Sequence, residues 1–244
     1  MISEIKIPGL SIKYDGELPN RQLVLVGGGR QPSKNWLKDV AKDRTIWCID
    51  HGVDICHELG LVPDFLLGDF DSCNADSLHW AEDKSAIIEE FEVHKDFTDT
   101  QAAIRYARED EAFCILTGAL GKRFDHTYST IFSFGNSGAK GCIADERETI
   151  CFLRDDESLT FTPQTAPKAI SLLPITPMVS GVNTHGLHWE LNDAELTQTN
   201  PYAISNMTAD DTTAHHTTAE SPKSNAFTVS VKKGILAVYL CWKE

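Results

Sequence analysis

The chain has 244 residues, of which 41% are hydrophobic and 24% are charged. These values are typical of a soluble globular protein with one large domain or two modest ones. A formal net charge of −14 argues against a nucleic-acid or anionic-membrane surface as the partner. A compact anionic ligand is compatible with this charge if Mg²⁺ and a few basic groups hold it.

The cysteines and the N-terminal segment bear on the cellular compartment. The seven cysteines form no C-x-x-C pair, and several lie in apolar runs such as "AFCILTG". This pattern favours reduced core thiols over a disulfide framework or a zinc site. The first 20 residues lack the continuous apolar segment of a signal peptide, and no run approaches the ~20 apolar residues of a membrane span. We therefore expect a cytoplasmic protein.

The first part of the chain alternates strand-like and helix-like segments. Helices are expected in "PSKNWLKDVAKD", starting at Ser33, and in "HGVDICHELG", ended by Gly60. Two more are expected in "FTDTQAAIRYARED", where Thr98 and Gln101 have capping-box spacing, and in "HTYSTIFSFG". The strands, in chain order, are expected to be "QLVLVGG", "TIWCID", "DFLLGD", "AIIEEFEV", "AFCILTG" and "KGCIADE". This alternation predicts a Rossmann-like α/β domain with a mostly parallel sheet over residues 1–147.

The sequence pattern changes over residues 148–244 and predicts an all-β sandwich or roll. Short β-type runs are separated by Pro, Gly, Asn and Thr, and no long helix is indicated. The runs are "TICFLR", "SLTFTP", "AISLLPI", "AFTVSV" and "ILAVYL". The last two are separated by "KKG", a hairpin-length connection. The Thr-rich segment 206–225 is expected to be mainly a long flexible loop.

Polar groups follow four of the predicted strands. They are the segment 27–30, Asp50, the pair Asp69 and Asp71, and "GALGKRFDH". Ligands of open α/β sheets bind beyond the carboxyl ends of the strands, so this coincidence predicts a site at one sheet edge. Asp50 taken alone is more often a turn or a helix cap.

The stretch "GDFDS", residues 68–72, places Asp69 and Asp71 two residues apart. Two such carboxylates repel one another unless a cation or hydrogen-bond donors lie between them. One interpretation is a polar turn in which Asp71 or Ser72 caps the next helix. The other is a Mg²⁺ site shared with substrate phosphates, which needs one or two protein carboxylates. A calcium EF-hand is excluded, because Asn74 and Trp80 occupy the positions of its Gly and Glu.

Two further segments add candidate groups. In "HKDFTDTQ", Asp99 is either an acid that complements the helix dipole or a third metal ligand, and Lys95 is free to reach a phosphate. "TGALGKRFDHT", residues 117–127, is a strand–glycine loop–helix element without Walker A spacing. Its small residues let backbone N–H groups approach phosphates, and Arg123 is suited to bidentate phosphate contacts. For His126, a structural or orienting role is favoured over a role as base.

The motifs "GDFDS", "KDFTDT" and "GALGKRFDHT", in this order and spacing, resemble the thiamine pyrophosphokinase family. The similarity continues in "GVNTHGLHWELNDAEL" and in "ISN" at 204–206, and it spans roughly residues 24–240. It implies the reaction of thiamine with ATP to give thiamine diphosphate and AMP, in which the diphosphoryl group moves as a unit. It also implies a homodimer with its sites at the subunit interface.

The resemblance, combined with the chemistry of phosphoryl transfer, assigns roles in the first domain. Mg²⁺ would be held against the triphosphate of ATP by Asp69, Asp71 and Asp99. The proton of the thiamine hydroxyl would go to Asp96, Asp99 or Asp125. Arg123 and Lys95 would neutralise the transferring group. The remaining binding residues of this domain are Asp50, Thr98, Gly118, Gly121, Lys122 and His126.

In the second domain the resemblance implies the thiamine contacts. Trp189 would stack on a thiamine ring, and Ser205 and Asn206 would hydrogen-bond the aminopyrimidine. Taken alone, Trp189 is more often a core residue of a β domain. The neighbouring G-L-x-W-x-L pattern favours the binding role.

The chain departs from the family pattern at three positions, where glycine is common. His51 follows Asp50, and Ala119 and Lys122 lie in the glycine loop. These differences affect nucleotide binding more than the reaction class.

Two other functions compete with the enzyme. One is a D-x-D nucleotide-sugar transferase, which leaves "GKRFDH" and "ISN" unexplained. The other is a non-catalytic thiamine- or nucleotide-binding module.

Overall fold

A computed structural model describes residues 2–209 and 225–243. The chain divides into two compact units. Residues 19–145 form the α/β unit, and residues 1–18 with 146–244 form the β unit. Of the loop predicted at 206–225, residues 210–224 lie outside the described residues.

The N-terminal residues correct the predicted domain assignment. Strands β1 (Ile2–Ile7) and β2 (Leu10–Leu18) pair antiparallel on either side of a Pro8–Gly9 turn. Strand β2 then pairs with Ser158–Pro163, so residues 1–18 belong to the β unit and not to the α/β domain expected over 1–147. The division between the units falls after Asp145, two residues before the predicted boundary.

The α/β unit alternates strands and helices. Its elements are β3 (Gln22–Val26), α1 (Lys34–Ala41), β4 (Thr45–Ile49), α2 (Gly52–Leu59), β5 (Phe65–Gly68), α3 (Ala75–Asp83), β6 (Ile87–Glu90), α4 (Asp99–Glu109), β7 (Phe113–Thr117), α5 (Phe124–Ser137) and β8 (Lys140–Ala144). The strands hydrogen-bond in the order β8-β7-β3-β4-β5-β6, and each of these pairs is parallel. Strand β7, which lies between β8 and β3, is buried along its whole length, as expected for a parallel sheet.

Local signals define the helix ends that flank the site. Thr98 and Gln101 form the predicted capping box, so α4 begins at Asp99. Helix α2 ends at Gly60, which adopts the left-handed conformation with φ 67°. Helix α3 is capped by Asn74, whose side chain accepts from the Asp76 N–H at 2.9 Å. Capping by Asp71 or Ser72 is therefore wrong.

The β unit contains antiparallel pairs throughout its named strands. After β1 and β2 its strands are β9 (Glu148–Leu153), β10 (Ser158–Pro163), β11 (Ala169–Pro174), β12 (Met178–His185), β13 (Ala194–Thr197), β14 (Phe227–Ser230) and β15 (Leu236–Cys241). One set pairs in the order β1-β2-β10-β14-β12-β13, and the other in the order β11-β15-β9. The prediction of a mixed α/β architecture is confirmed.

The "KKG" connection does not make a hairpin. Strand β14 pairs with β10 and β12, whereas β15 pairs with β9 and β11. The short segment instead carries the chain from one set of paired strands to the other, because each strand finds its partners elsewhere. Within the part of the chain that the structure describes, no helix is long and apolar enough to cross a membrane.

Candidate active site

A cavity of about 500 Å³ lies in the α/β unit, where the carboxyl ends of four parallel strands meet. The loops that follow β3, β4, β5 and β7 contribute Gly28, Asp50, Asp69 and Gly118 to its walls. The predicted site residues that line it are Asp50, Asp69, Asp71, Asp99, Gly118, Gly121, Lys122, Arg123 and His126. The structure therefore brings together side chains that are up to 76 positions apart along the chain, from Asp50 to His126.

The other four predicted residues of this unit lie near the cavity or on the surface. Thr98 and Asp125 line a smaller cavity of about 200 Å³, which shares His126 with the larger one. Lys95 contacts two of the aspartates of the larger cavity. Asp96 is exposed and lines neither of these cavities.

Two glycine-containing loops approach each other closely at the cavity wall. The Gly27 N–H donates to the Thr117 carbonyl at 2.8 Å, and the Gly29 N–H donates to the Gly118 carbonyl at 2.5 Å. Gly118 has φ 64°, and a Cβ added there would lie 2.3 Å from the Gly27 oxygen. Neither the backbone conformation nor the space at Gly118 admits a side chain.

The D-F-D turn displays its two carboxylates through an unusual backbone conformation. Phe70, between the two aspartates, has φ 54°, a region that bulky residues rarely enter. Asp69 Oδ1 accepts from the Asp71 N–H at 3.3 Å, while the Asp71 side chain is exposed at the cavity. Backbone strain of this kind is concentrated at functional sites. Here the conformation of Phe70 places the Asp71 side chain at the cavity and not at a helix N-terminus.

Lys95 is the counter-ion that the sequence left unidentified for the carboxylates. Its Nζ lies 3.0 Å from Asp99 Oδ1 and 3.6 Å from Asp69 Oδ2, and its side chain is only 10% exposed. Burial disfavours the ammonium, but the hydrogen bond and charge of Asp99, with the charge of Asp69, outweigh it and raise the pKa of Lys95. One cation therefore bridges two of the three predicted metal ligands.

Asp50 is the most perturbed acid of the cavity. Burial raises its pKa to about 7, and the charges of Asp99 and Asp69 act in the same direction, although an N–H of Asp69 partly offsets them. Its Oδ1 is buried without a hydrogen-bond partner among the described residues and packs against Gly68, where an added Cβ would lie 2.0 Å away. The site thus holds more negative charge than Lys95 alone balances.

These features fit a cation that shares its coordination with substrate phosphates. The unpartnered Asp50 oxygen and the raised pKa of this carboxyl mark a place where added positive charge is favourable. Among the described residues, no group of three His, Cys, Asp or Glu side chains is arranged to hold a metal ion alone. A Mg²⁺ ion that arrives with ATP needs fewer protein ligands, because phosphates and waters complete its octahedron.

Arg123 and Asp125, two predicted catalytic residues, pair with each other. The Arg123 Nε and Nη2 atoms donate to the two Asp125 oxygens at 3.1 and 2.6 Å. The hydrogen bond from Arg123 lowers the pKa of Asp125, and the same contact raises the pKa of Arg123. Both side chains are exposed, so a phosphate would compete with Asp125 for the guanidinium.

The β unit carries an apolar shelf that contains Trp189. A cavity of about 280 Å³ is lined by Trp189, Tyr202, Ile204 and Asn206 together with three apolar neighbours. Trp189 is 56% exposed, Tyr202 51% and Ile204 55%. The interpretation of Trp189 as a core residue is therefore wrong, and the shelf offers an aromatic face suited to a cationic ring.

The side chain of Asn206, predicted to bind the aminopyrimidine, also hydrogen-bonds to the backbone of its own unit. Its Nδ2 donates to the Trp189 carbonyl at 2.8 Å, and its Oδ1 accepts from the N–H groups of Trp189 at 3.2 Å and Met207 at 2.9 Å. The side chain thus holds the backbone that presents Trp189. Ser205 is exposed with φ 59°, and its N–H donates to Ser171 Oγ at 3.1 Å.

His51, Tyr202 and Ile204 are among the residues of these surfaces that were not predicted to contribute. His51 was noted as a departure from the family pattern, and it lines the larger cavity. Tyr202 and Ile204 flank Ala203 beside the "ISN" segment and line the shelf. An available signal was the cluster of apolar side chains in the otherwise polar stretch "TQTNPYAISN".

Comparisons with known proteins agree with the two units. The model of the thiamin pyrophosphokinase catalytic domain matches residues 37–142, and that of the vitamin B1 binding domain of the same family matches residues 158–236. Thiamine pyrophosphokinase 2 of Arabidopsis thaliana is 30% identical over 198 residues, which cover 72% of this chain and 68% of the relative. Thiamine pyrophosphokinase of Bacillus subtilis is 24% identical over 190 residues, which cover 75% of this chain and 87% of the relative.

A solved structure shows the same fold. The crystal structure of thiamin pyrophosphokinase from Geobacillus thermodenitrificans superposes with a TM-score of 0.74 at 20% identity, covering 91% of this chain and 98% of that one. The sequence resemblance is thereby confirmed by family models, relatives and fold alike. The chain belongs to the thiamine pyrophosphokinase family of enzymes.

Proposed function

We propose that the protein transfers the diphosphoryl group of ATP to the hydroxyl of thiamine, giving thiamine diphosphate and AMP. The observation that carries the proposal is the cavity of the α/β unit, where glycine loops, acidic side chains and basic side chains converge. The domain layout that we propose is a Rossmann-like catalytic domain and a β-sandwich or roll that binds thiamine.

The bond changes follow from the products. The thiamine hydroxyl oxygen attacks the β-phosphorus, the bond from that phosphorus to the bridging α–β oxygen breaks, and AMP departs with that oxygen. Mg²⁺, when bound with ATP by Asp69, Asp71 and Asp99, supplies charge neutralisation on the phosphates. Lys95 and Lys122 add positive charge at the cavity.

The proton of the thiamine hydroxyl needs an acceptor, and the three candidates, Asp96, Asp99 and Asp125, differ in their contacts. Asp125 is the weakest, since its hydrogen bond with Arg123 lowers its pKa. Asp99 is engaged by Lys95 at 3.0 Å. Asp96 is exposed and has no such contact described. Since loose phosphoryl-transfer transition states need little base assistance, positioning of the two substrates matters more than the identity of the acceptor.

The functional alternatives are separated by one assay. The purified chain is incubated with thiamine, ATP and Mg²⁺, and the products are resolved by chromatography. Equal amounts of AMP and thiamine diphosphate support the proposal, whereas ADP indicates a simple kinase. Thiamine binding without turnover indicates a non-catalytic module. Consumption of a nucleotide-sugar with Mn²⁺ indicates a sugar transferase.

We further propose a homodimer whose sites lie at the subunit interface, in the cytoplasm. Exposed aromatic side chains on both units support a partner surface. Phe124 is 79% and Tyr128 54% exposed on α5, and Trp189 and Tyr202 are exposed on the shelf. No disulfide joins any of the seven cysteines, all of which lie within the described residues, and this is compatible with a reducing compartment.

A subunit-mixing experiment tests the interface. Asp71→Asn disables the α/β cavity, and Trp189→Ala disables the β shelf. If each site combines the cavity of one subunit with the shelf of the other, a mixed dimer regains one intact site, and activity returns when the two inactive variants are unfolded and reassembled together. If both halves come from the same subunit, the mixture stays inactive. Light scattering reports the oligomeric state in parallel.

A further inference from the structure

Two side chains from different loops meet at one backbone oxygen of the cavity wall. Lys122 Nζ donates to the Gly28 carbonyl oxygen at 3.0 Å, and His51 Nε2 lies 2.7 Å from the same oxygen. Because a carbonyl oxygen can only accept, the contact requires the His51 proton on Nε2. Both residues line the cavity.

His51 also contacts the turn that carries the acidic pair. Its Nδ1 lies 3.2 Å from Ser72 Oγ, next to Asp71 in the sequence. With the proton on Nε2, the neutral ring accepts from the Ser72 hydroxyl. The imidazole therefore connects the loop that follows β3 with the D-F-D-S turn that follows β5.

The ring packs directly on Gly28. A Cβ added to Gly28 would lie 2.2 Å from His51 Cε1, so no side chain fits there while the ring keeps its position. The backbone N–H groups of the next two residues are held, since Gly29 donates to Gly118 at 2.5 Å and Arg30 donates to Leu120 at 2.8 Å. The Gly29 N–H and the Gly28 carbonyl belong to one peptide unit, so Gly118 holds its N–H end while His51 and Lys122 hold its carbonyl end.

The partial negative charge on the Gly28 oxygen makes the position of this peptide important for binding an anionic ligand. An uncovered carbonyl oxygen at a phosphate-binding cavity repels the anion, and a peptide that is held only through its N–H is less firmly oriented than one held at both ends. An ammonium and an imidazole N–H on this oxygen remove both problems. The Lys122 ammonium neutralises negative charge on the Gly28 oxygen, whereas the His51 ring holds the Gly28 peptide in place.

We propose that His51 and Lys122 are a coupled pair of positioning residues that hold the Gly28 carbonyl, fix the 27–30 loop against the D-F-D-S turn and thereby set the affinity for ATP. The identity of the nucleotide rests on the proposed function. The pair acts through Gly28 and is not assigned any role in bond making or breaking.

The test uses the full chain with His51→Ala, His51→Gln, Lys122→Met and the double variant His51→Ala/Lys122→Met. His79→Ala and Lys38→Met are matched controls, because both residues are exposed on helices outside the cavity. Calorimetry measures the affinity for ATP with Mg²⁺, and kinetics separate kcat from KM. Hydrogen exchange of residues 27–30 is followed without any ligand.

His51→Ala and Lys122→Met are each expected to weaken ATP binding by roughly threefold to tenfold and to raise the KM for ATP, while His51→Ala leaves kcat and the KM for thiamine nearly unchanged. His51→Gln should restore most of the affinity, since an amide both donates and accepts. The double variant should differ from the product of the single effects by at least about threefold, because the two residues share one partner. Exchange at residues 27–30 should rise in the alanine and methionine variants.

The proposal is overturned if the glutamine variant is as weak as the alanine variant, if the single effects multiply, or if exchange at 27–30 is unchanged. Failure of the wild-type chain to form AMP would reject the proposed function instead. The ligand-free exchange would still decide whether the pair holds the loop, so the two failures are distinguishable.

Discussion

The side-chain amide of Asn206 makes two hydrogen bonds to the backbone of Trp189. It donates to the Trp189 carbonyl at 2.8 Å and accepts from the Trp189 N–H at 3.2 Å. A single side chain thus fixes the peptide groups on either side of the Trp189 Cα. The indole itself stays 56% exposed, so its placement comes from the backbone more than from side-chain packing. Asn206 is in this respect a positioning residue of the aromatic shelf.

Replacing Asn206 with Asp should weaken thiamine binding. The carboxylate keeps the acceptor for the Trp189 N–H but loses the donor to the Trp189 carbonyl, and one such hydrogen bond is worth about two- to tenfold in an equilibrium constant. Thiamine titration monitored by calorimetry measures the effect. Asn192→Asp, an exposed site with the same charge change, is the control. Equal thiamine affinity in Asn206→Asp and the wild type would show that the grip on Trp189 is unimportant.

Asp71→Asn should abolish most turnover and leave the fold intact. Asp71 is exposed and does not cap α3, so none of the contacts described indicates that its charge stabilises the fold. Loss of a metal–phosphate ligand should lower kcat/KM on the order of 100-fold or more. Asp76→Asn, on the exposed first turn of α3, is the matched control for activity and melting temperature. Full activity in Asp71→Asn would remove Asp71 from the set of metal ligands.

Lys95→Met should destabilise the protein and make its stability depend more on Mg²⁺. Removal of the ammonium leaves Asp69 and Asp99, 17% and 14% exposed, without their cation. Breaking a buried pair in this way costs roughly 3–5 kcal/mol, and partial exposure reduces that cost. Thermal melting with EDTA and with Mg²⁺ tests both effects.

The control is Lys34→Met, which breaks the exposed ion pair of Lys34 with Glu58. Such surface pairs contribute about 0–1 kcal/mol, so melting should change little. Mg²⁺ should raise the melting temperature of Lys95→Met by more than that of the wild type. Equal gains would mean that Lys95 and the metal do not neutralise the same carboxylates.

The raised pKa of Asp50 predicts a pH-dependent stability. The folded state holds the Asp50 proton up to pH about 7, whereas the ordinary carboxyl releases it near 3.8. The stability gained from this tighter proton binding is fully present below pH 3.8 and is lost as the pH rises through 7. In EDTA, the wild type should therefore lose melting temperature relative to Asp50→Asn, which cannot ionise, as the pH rises from 3.8 to about 7. Parallel curves for the two proteins would contradict the raised pKa.

Much of the fold could be predicted because the parallel strands are continuous apolar runs. Strand β7, "FCILT", is buried at every position and is unmistakable in the sequence. The hairpin of β1 and β2 was missed although Leu10, Ile12 and Tyr14 alternate as buried residues after a Pro-Gly turn. The partners of β14 and β15 were also missed, since pairing between distant strands leaves no local signal.

The candidate site was predictable where topology alone brings residues together. Carboxyl ends of parallel strands share an edge, so the convergence of Asp50 with Asp69 follows from strand order. The contact of Lys95 with Asp69 and the grip of Asn206 on Trp189 depend on loop conformations. Phe70 at φ 54° and Ser205 at φ 59° are left-handed residues in these loops that no propensity indicates.

The central claim is transfer of an intact diphosphoryl group, and the fate of the β-phosphate of ATP tests it most directly. The protein is given thiamine, Mg²⁺ and ATP that carries radioactive phosphorus at the β position, and the nucleotide and thiamine products are separated. If the diphosphoryl group moves intact, the label appears in thiamine diphosphate and the released AMP is unlabelled. Label retained in ADP, with a singly phosphorylated thiamine, would contradict it.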